Sequence, residues 1–112
     1  MTVALLSFGP HEIIADEFAD LPGAEQVIIF GSWAARYAGQ PGPPPDDIDV
    51  LVIGDASRQQ VFDAADRAER RLGRPVNPEQ TKPARWEDPR DSSLLIEVEQ
   101  RPFLTAYSRA NR

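Results

Sequence analysis

The stretch that decides the fold is Gln26-Val27-Ile28-Ile29-Phe30, followed by Gly31-Ser32 and then by Trp33-Ala34-Ala35-Arg36-Tyr37-Ala38-Gly39. Its first five residues are a continuous apolar run rich in β-branched side chains, which is typical of a strand buried on both faces. The residues after the Gly-Ser pair are compatible with a helix that ends at Gly39. The sequence therefore predicts a strand, a tight turn and a short helix.

A second strand is predicted at Asp47-Ile48-Asp49-Val50-Leu51-Val52-Ile53. The proline-rich segment 40–45 before it fits neither a helix nor a central strand, so it predicts an extended surface loop. Because alternate side chains of a strand share a face, Asp47 and Asp49 should point the same way, with Cα atoms about 6.6 Å apart. Ile48, Val50 and Val52 should point to the opposite face.

Helices are predicted on both sides of these strands. One covers about residues 10–21, and one follows the capping pair Ser57 and Gln60 and ends at Gly73. Residues 93–100 fit a helix capped by Ser92 better than a strand. The fold class is α/β (α+β), a small mixed β-sheet flanked by helices.

The remaining segments carry weaker patterns. Residues 74–78 contain two prolines and predict a short edge strand. Residues 79–92 indicate a loop or a broken helix around Trp86, and residues 105–112 a mobile tail. We expect one domain over residues 1–112, with its core at about 23–104.

Composition excludes several classes of protein. The chain of 112 residues has no cysteine, which excludes disulfides and zinc–thiolate sites. No apolar stretch approaches the ~20 residues of a membrane span, and the start lacks the features of a secretory signal. We therefore expect a cytoplasmic protein without membrane contact.

Charge is distributed unevenly along the chain. The net charge is −6, and residues 1–57 hold nine acids against a single base, Arg36. Duplex DNA binding is not expected, because affinity for nucleic acid depends on neutralising phosphates. The acids of the first half indicate either a divalent-cation site or a solvated acidic surface.

Two features point to chemistry. Neighbouring carboxylates such as Asp47 and Asp49 repel each other, and a hard cation, Mg²⁺ or Mn²⁺, would relieve that repulsion. Gly31 allows a close backbone approach to a phosphate and Ser32 adds a hydroxyl donor. Each has a plain alternative: two solvated loop aspartates, and an ordinary helix cap. Together they fit the binding of a metal-bound nucleoside triphosphate.

The combination Gly31-Ser32-Trp33-Ala34-Ala35-Arg36, a loop, and Asp47-Ile48-Asp49-Val50-Leu51-Val52 resembles the minimal nucleotidyltransferase domains of the DNA polymerase β superfamily. Their pattern is G-S-x-A-x-R, a variable loop, and D-x-D entering an apolar strand. The resemblance is greatest to the branch fused to winged-helix transcriptional regulators.

The resemblance implies a nucleotidyltransferase fold and a site for ATP or another nucleoside triphosphate. Gly31 and Ser32 would hold phosphates, and Asp47 and Asp49 would bind the catalytic Mg²⁺ or Mn²⁺. Arg36 would organise the site by pairing with a carboxylate or with substrate. The implied reaction is transfer of a nucleotidyl group, AMP in the first instance, to a protein or small-molecule hydroxyl.

One position departs from the family pattern. Active members carry a third carboxylate on the strand after the long helix, and the aligned residue here is Asn77, which cannot accept a proton as a base. Glu97 or Glu99 would replace it if segment 93–100 were a strand beside Asp49. The alternative to an enzyme is therefore a nucleotide-binding regulatory module that has lost transfer activity.

The resemblance also implies a protein partner. Small members of the family pair with a helical toxin, as antitoxins, or are joined to a DNA-binding regulator. The sequence leaves both partners open, and a homo-oligomer with them.

Overall fold

The computed structural model describes residues 9–109. Five α-helices and four strands follow one another there. The helices are α1 (Pro10–Phe18), α2 (Gly31–Tyr37), α3 (Arg58–Leu72), α4 (Pro83–Glu87) and α5 (Ser93–Gln100). The strands are β1 (Ala24–Phe30), β2 (Ile48–Gly54), β3 (Val76–Thr81) and β4 (Leu104–Ser108). A single 3-10 turn, Pro89–Asp91, joins α4 to α5.

The four strands form one mixed sheet in the order β3-β2-β1-β4. The two apolar strands predicted from the sequence are the central pair, and they run antiparallel. β4 adds to β1 antiparallel, whereas β3 adds to β2 parallel. The long helix α3 makes the crossover between β2 and β3, as parallel neighbours require. The mixed α/β architecture is confirmed.

Each central strand is buried on both faces, because helices cover both sides of the sheet. Val27, Ile28 and Ile29 are all fully buried. The larger core lies on the face covered by α1 and α3, where Ile48, Val50 and Val52 point. The smaller core lies on the other face, where Leu51 and Ile53 meet Leu95 of α5. Asp49 precedes Leu51 on β2, so its side chain belongs to this second face.

Local signals fix the helix ends. The Ser57 hydroxyl accepts a hydrogen bond from the Gln60 N–H at 3.0 Å, and Gly73 ends α3 with a φ of 71°. The Ser92 hydroxyl accepts from the Leu95 N–H at 3.2 Å, which begins α5. Segment 93–100 is thus a helix, and the strand alternative for it is wrong.

A charged contact attaches α1 to α3. Arg67 Nε donates to Glu17 Oε1 at 2.8 Å, and Arg71 Nη1 donates to Glu17 Oε2 at 3.0 Å. The hydrogen bond from Arg67, followed by that from Arg71, lowers the pKa of Glu17 despite its burial. Helix α1 is therefore part of the packed unit, although it lies before the core boundary predicted at residue 23.

Two predicted boundaries differ from the structure. Helix α1 ends at Phe18, and Leu21 follows in a turn that is still buried. The predicted edge strand runs from Val76 to Thr81, because β2 offers it a parallel partner along that whole length. The broken helix around Trp86 is confirmed as α4 and the 3-10 turn.

The prediction of a mobile tail is wrong for residues 105–108. Residues Leu104–Ser108 form β4 and pair with Gln26 to Ile29 of β1. The outer edge of β1 would otherwise leave backbone groups unpaired beside a buried core, and β4 supplies their partners. The last residues of the predicted tail lie outside the described part of the chain. Among residues 9–109, no helix has both the length and the apolar character to cross a membrane.

Candidate functional site

The site forms where β1 ends and β2 begins. Phe30, the last residue of β1, pairs with Asp49 across the antiparallel ladder. Asp49 pairs on its other side with Asn77 of β3. Asp49 thus occupies a central strand between the Gly31 turn and Asn77, and Asp47 lies directly before the strand. The backbone register alone therefore brings Gly31, Asp49 and Asn77 together.

The Gly31 turn and the Asp49 carboxylate are in contact. Gly31 has a φ of 77°, a conformation that residues with a side chain rarely adopt. A methyl group built on Gly31 would overlap Asp49 Oδ2. Glycine is therefore required here twice, by the left-handed backbone and by the closeness of the carboxylate. The predicted convergence of the turn and Asp49 is observed.

Asn77 joins the two aspartates. Its Nδ2 donates to Asp47 Oδ2 at 2.9 Å and to Asp49 Oδ1 at 3.2 Å. Because both carboxylates reach the same amide nitrogen, their side chains point the same way, as the alternation of β2 predicted. Asn77, which the resemblance aligned with the third acid, thus lies beside both aspartates.

Electrostatics make Asp49 an unfavourable place for a negative charge. Burial raises the pKa of the Asp49 carboxyl, and the neighbouring charge of Asp47 raises it further, whereas the hydrogen bond from Asn77 lowers it. A cation between the two carboxylates would reverse this cost. Two carboxylates also match what Mg²⁺ usually takes from a protein before water and phosphate oxygens complete its shell.

The residues present thus fit a hard divalent cation with two protein ligands. Over residues 9–109, no group of three or more acidic, histidine or cysteine side chains is arranged for a metal. Asn77 explains that result, since an amide stands where a third acid would complete such a group.

Arg36 lies elsewhere in the structure than the resemblance implied. Its guanidinium donates to the backbone carbonyls of Gln40 (2.8 Å), Pro41 (3.1 Å) and Pro43 (3.1 Å). In the described part of the chain it forms no ion pair with a carboxylate. Of the two roles predicted for Arg36, pairing with a carboxylate is thus not observed, and pairing with substrate stays a prediction. Prolines have carbonyls but no N–H groups, so this loop offers several acceptors to one guanidinium.

Arg36 consequently positions the loop that leads into the aspartates. Arg74 holds the far end of the same loop through the Pro45 carbonyl, at 3.3 Å. The Ile48 N–H, one residue before Asp49, donates to the Pro75 carbonyl at 3.0 Å. The start of β2 is thus fixed from both sides.

A cavity of about 190 Å³ opens beside Asp49, and Asn77 is not among the residues that line it. Its lining combines residues of the β1 end, of β2 and of α5: Phe30, Gly31, Asp49, Leu94, Glu97, Val98, Arg101 and Pro102. The sequence pattern would bring Glu97 to Asp49 only from a strand, and it gives no signal for Arg101. Glu99, on the same helix, does not line this cavity, and Ser32 is exposed in the first turn of α2.

Comparison with known proteins identifies the fold. No protein-family model matches the sequence, and no curated protein is significantly similar to it. In structure the chain is similar to a toxin–antitoxin protein crystallised with AMP-PNP, with a TM-score of 0.62 and 14% identity over 90% of this chain and 75% of that one.

Two more solved structures have a similar fold. A complex of the tri-AMPylated Shewanella oneidensis HEPN toxin with MNT antitoxin gives a TM-score of 0.58 and 15% identity, covering 91% of this chain and 72% of that one. A mutant of the toxin–antitoxin MntA–HpeT gives a TM-score of 0.61 and 15% identity, covering 93% of this chain and 77% of that one. The chain has the nucleotidyltransferase fold, and its placement in the winged-helix branch stays a prediction.

Proposed function

We propose that this chain is a nucleotide-binding module that holds the Mg²⁺ or Mn²⁺ complex of a nucleoside triphosphate, ATP in the first instance, and that has lost efficient nucleotidyl transfer. The observation that carries the proposal is the position of Asn77. It pairs with Asp49 in the ladder and donates to both carboxylates from the place of the third acid.

Binding requires groups that the site has. Asp47 and Asp49 would hold the cation, whose role is to offset phosphate charge and polarise the phosphate oxygens. Gly31 leaves space for a phosphate to approach its backbone, and the exposed Ser32 adds a hydroxyl donor. An amide that turns its carbonyl oxygen toward the cation would also allow Asn77 to contribute to this binding.

Transfer requires a group that the third position lacks. An acceptor hydroxyl must lose its proton as it attacks, and a carboxylate beside the metal can take that proton. The amide of Asn77 cannot. It also removes one negative charge from the site, which weakens the grip on a second cation. The geometry therefore supports binding more strongly than transfer.

A second candidate function is transfer with Glu97 as the proton acceptor. The favouring observation is that Glu97 lines the same cavity as Gly31 and Asp49, although it comes from α5 and not from the sheet. In that case AMP would pass to a hydroxyl of a protein or small molecule. The similarity to toxin–antitoxin structures, one with a tri-AMPylated toxin, supports a helical toxin as acceptor or partner.

Calorimetry of ATP binding, with and without Mg²⁺, tests the shared part of the two functions. We expect binding that depends on Mg²⁺ and is lost in Asp49→Asn. The matched control is Asp46→Asn, because Asp46 is an exposed acid one residue before Asp47 and outside the site. Equal loss in both variants, or no binding by the wild type, would refute the proposal.

Transfer from ATP labelled at the α-phosphate separates the two functions. In a lysate that supplies acceptors, the module should label nothing above background, and Asn77→Asp should gain labelling. If the wild type transfers label strongly and Glu97→Gln abolishes that labelling, transfer with Glu97 as proton acceptor is the function, and the proposal of a non-transferring module is refuted.

A further inference from the structure

The cavity beside Asp49 has one positively charged residue in its lining, and the proposed function assigns no role to it. Arg101 lines this cavity together with Gly31 and Asp49. It is the one cationic residue in that lining. It also forms no ion pair with any carboxylate whose side chain the structure describes. A charged side chain without such a partner at the edge of a ligand cavity is available for a ligand of opposite charge.

The backbone explains why Arg101 is placed there. Proline disfavours the helical conformation for the residue before it, so Pro102 ends α5 at Gln100. Arg101 is accordingly extended, with φ −117° and ψ 163°. The chain then leaves the helix at the mouth of the cavity, and Pro102 itself forms part of the lining.

The charges of the site require a cation from the protein. Asp47 and Asp49 are both acidic, and a bound triphosphate would add several negative charges. The Arg36 guanidinium, which the sequence pattern would have supplied, is engaged by three loop carbonyls. Arg101 is therefore the protein cation best placed to meet a phosphate that lies on the Gly31 turn.

We propose that Arg101 binds the phosphates of the nucleotide, as a positioning and specificity residue that replaces the contact not made by Arg36. The proposal rests on the proposed function, since it assigns a residue to the same nucleotide site. Glu97, one helical turn earlier, lines the same cavity without forming an ion pair with Arg101, and its negative charge opposes that of a phosphate there. The guanidinium can donate two parallel hydrogen bonds to a phosphate, whereas lysine offers only a point charge.

Affinity for a series of nucleotides tests this assignment. Arg101→Gln should weaken binding of Mg–ATP about tenfold, which is about 1.4 kcal/mol. The loss should shrink from ATP to ADP to AMP and vanish for adenosine, because only the phosphates are contacted. Arg101→Lys should recover part of the affinity for ATP.

Arg70→Gln is the matched control. It removes an exposed arginine whose one ion pair is a 3.9 Å surface contact with Asp66 on the same helix, far from the cavity lining. Thermal melting of each variant checks that the fold is retained.

Three results would overturn the proposal. Arg101→Gln could bind Mg–ATP as tightly as the wild type, which refutes the role of Arg101 and leaves the proposed function standing. An equal loss for ATP and adenosine would show that the side chain shapes the pocket without contacting phosphate. A wild type that binds no nucleotide would refute the proposed function and this proposal with it.

Discussion

Asn77→Asp is the substitution that tests the site geometry most directly. The aspartate has nearly the shape of asparagine, but it cannot donate the two hydrogen bonds that Asn77 makes to Asp47 and Asp49. It also places a third negative charge beside two others. We expect the variant to be less stable than the wild type at neutral pH without divalent cations, and to recover when Mg²⁺ is added.

The distances give the size of the effect. Asn77 Nδ2 lies 2.9 Å from one carboxylate and 3.2 Å from the other, so both hydrogen bonds are lost, at about 1 kcal/mol each. A third charge about 4 Å from two others adds about 1 kcal/mol per pair at the dielectric constant of water. Because Asn77 is exposed, this lower limit applies. The expected loss is about 3–4 kcal/mol, a large share of the ~5–15 kcal/mol that stabilises a typical domain.

The loss should depend on pH in a defined direction. Mutual repulsion raises the pKa of the clustered carboxyls in the folded state above their ordinary values. Between those two values the folded state binds more protons than the unfolded state, so stability falls as pH rises. The gap between variant and wild type should therefore be small near pH 4 and largest near pH 8.

Urea denaturation at several pH values, with and without Mg²⁺, measures the loss of stability, its pH dependence and its recovery with the metal. Asn77→Ala is the control, because it removes the hydrogen bonds without adding charge; loss of the Asn77 hydrogen bond raises the pKa of Asp49, so its stability should also fall with rising pH, but by less than that of Asn77→Asp. If Asn77→Asp is as stable as Asn77→Ala at pH 8 without Mg²⁺, the three side chains do not converge and the proposed site is refuted.

Two further substitutions probe Asp49 and Gly31. Asp49→Asn should be more stable than the wild type at pH 7–8, because burial raises the pKa of this carboxyl and makes its charged form costly in the folded state. This gain in stability should disappear as pH falls below the ordinary pKa of an aspartate. A variant less stable than the wild type at pH 8 would contradict the prediction. Gly31→Ala should lower the free energy of unfolding by about 1–2 kcal/mol through backbone strain, and it should also abolish Mg–ATP binding. The control is Gly73→Ala, where φ is a similar 71° and the surrounding space is open, so that only stability should fall. If calorimetry shows that Gly31→Ala still binds Mg–ATP, the turn does not bind phosphate.

Much of the fold can be predicted from the sequence because apolar runs, helix caps and strand alternation each act within a few residues. The apolar runs around Ile28 and Leu51 predict central strands, since short runs rich in β-branched residues are typical of strands buried on both faces. The caps at Ser57 and Ser92 predict where α3 and α5 begin, since each hydroxyl satisfies an N–H within one turn. The alternation of β2 likewise places Asp47 and Asp49 on one face.

The failures concern residues whose environment is set by distant parts of the chain. Nothing between residues 104 and 108 predicts a strand until the free edge of β1 is known, which lies about 80 residues earlier. The partners of Arg36 depend on how the proline-rich loop folds back on α2, and Arg101 enters the site only because α5 packs on the second face of the sheet. A pattern of residue types along the chain contains none of these distances.

The parallel pairing of β2 with β3 decides what the site can do. That ladder places residue 77 opposite Asp49 whatever its side chain, so the position cannot withdraw from the acids when its chemistry changes. A carboxylate there would have to be stabilised by metal, whereas asparagine stabilises the same pair through its own amide. Asn77 thus makes a metal-independent contact at the position where, under the proposed function, a transferase would carry its base. If binding and transfer are separable in this fold, the single exchange of Asn77 for aspartate is the change that should separate them.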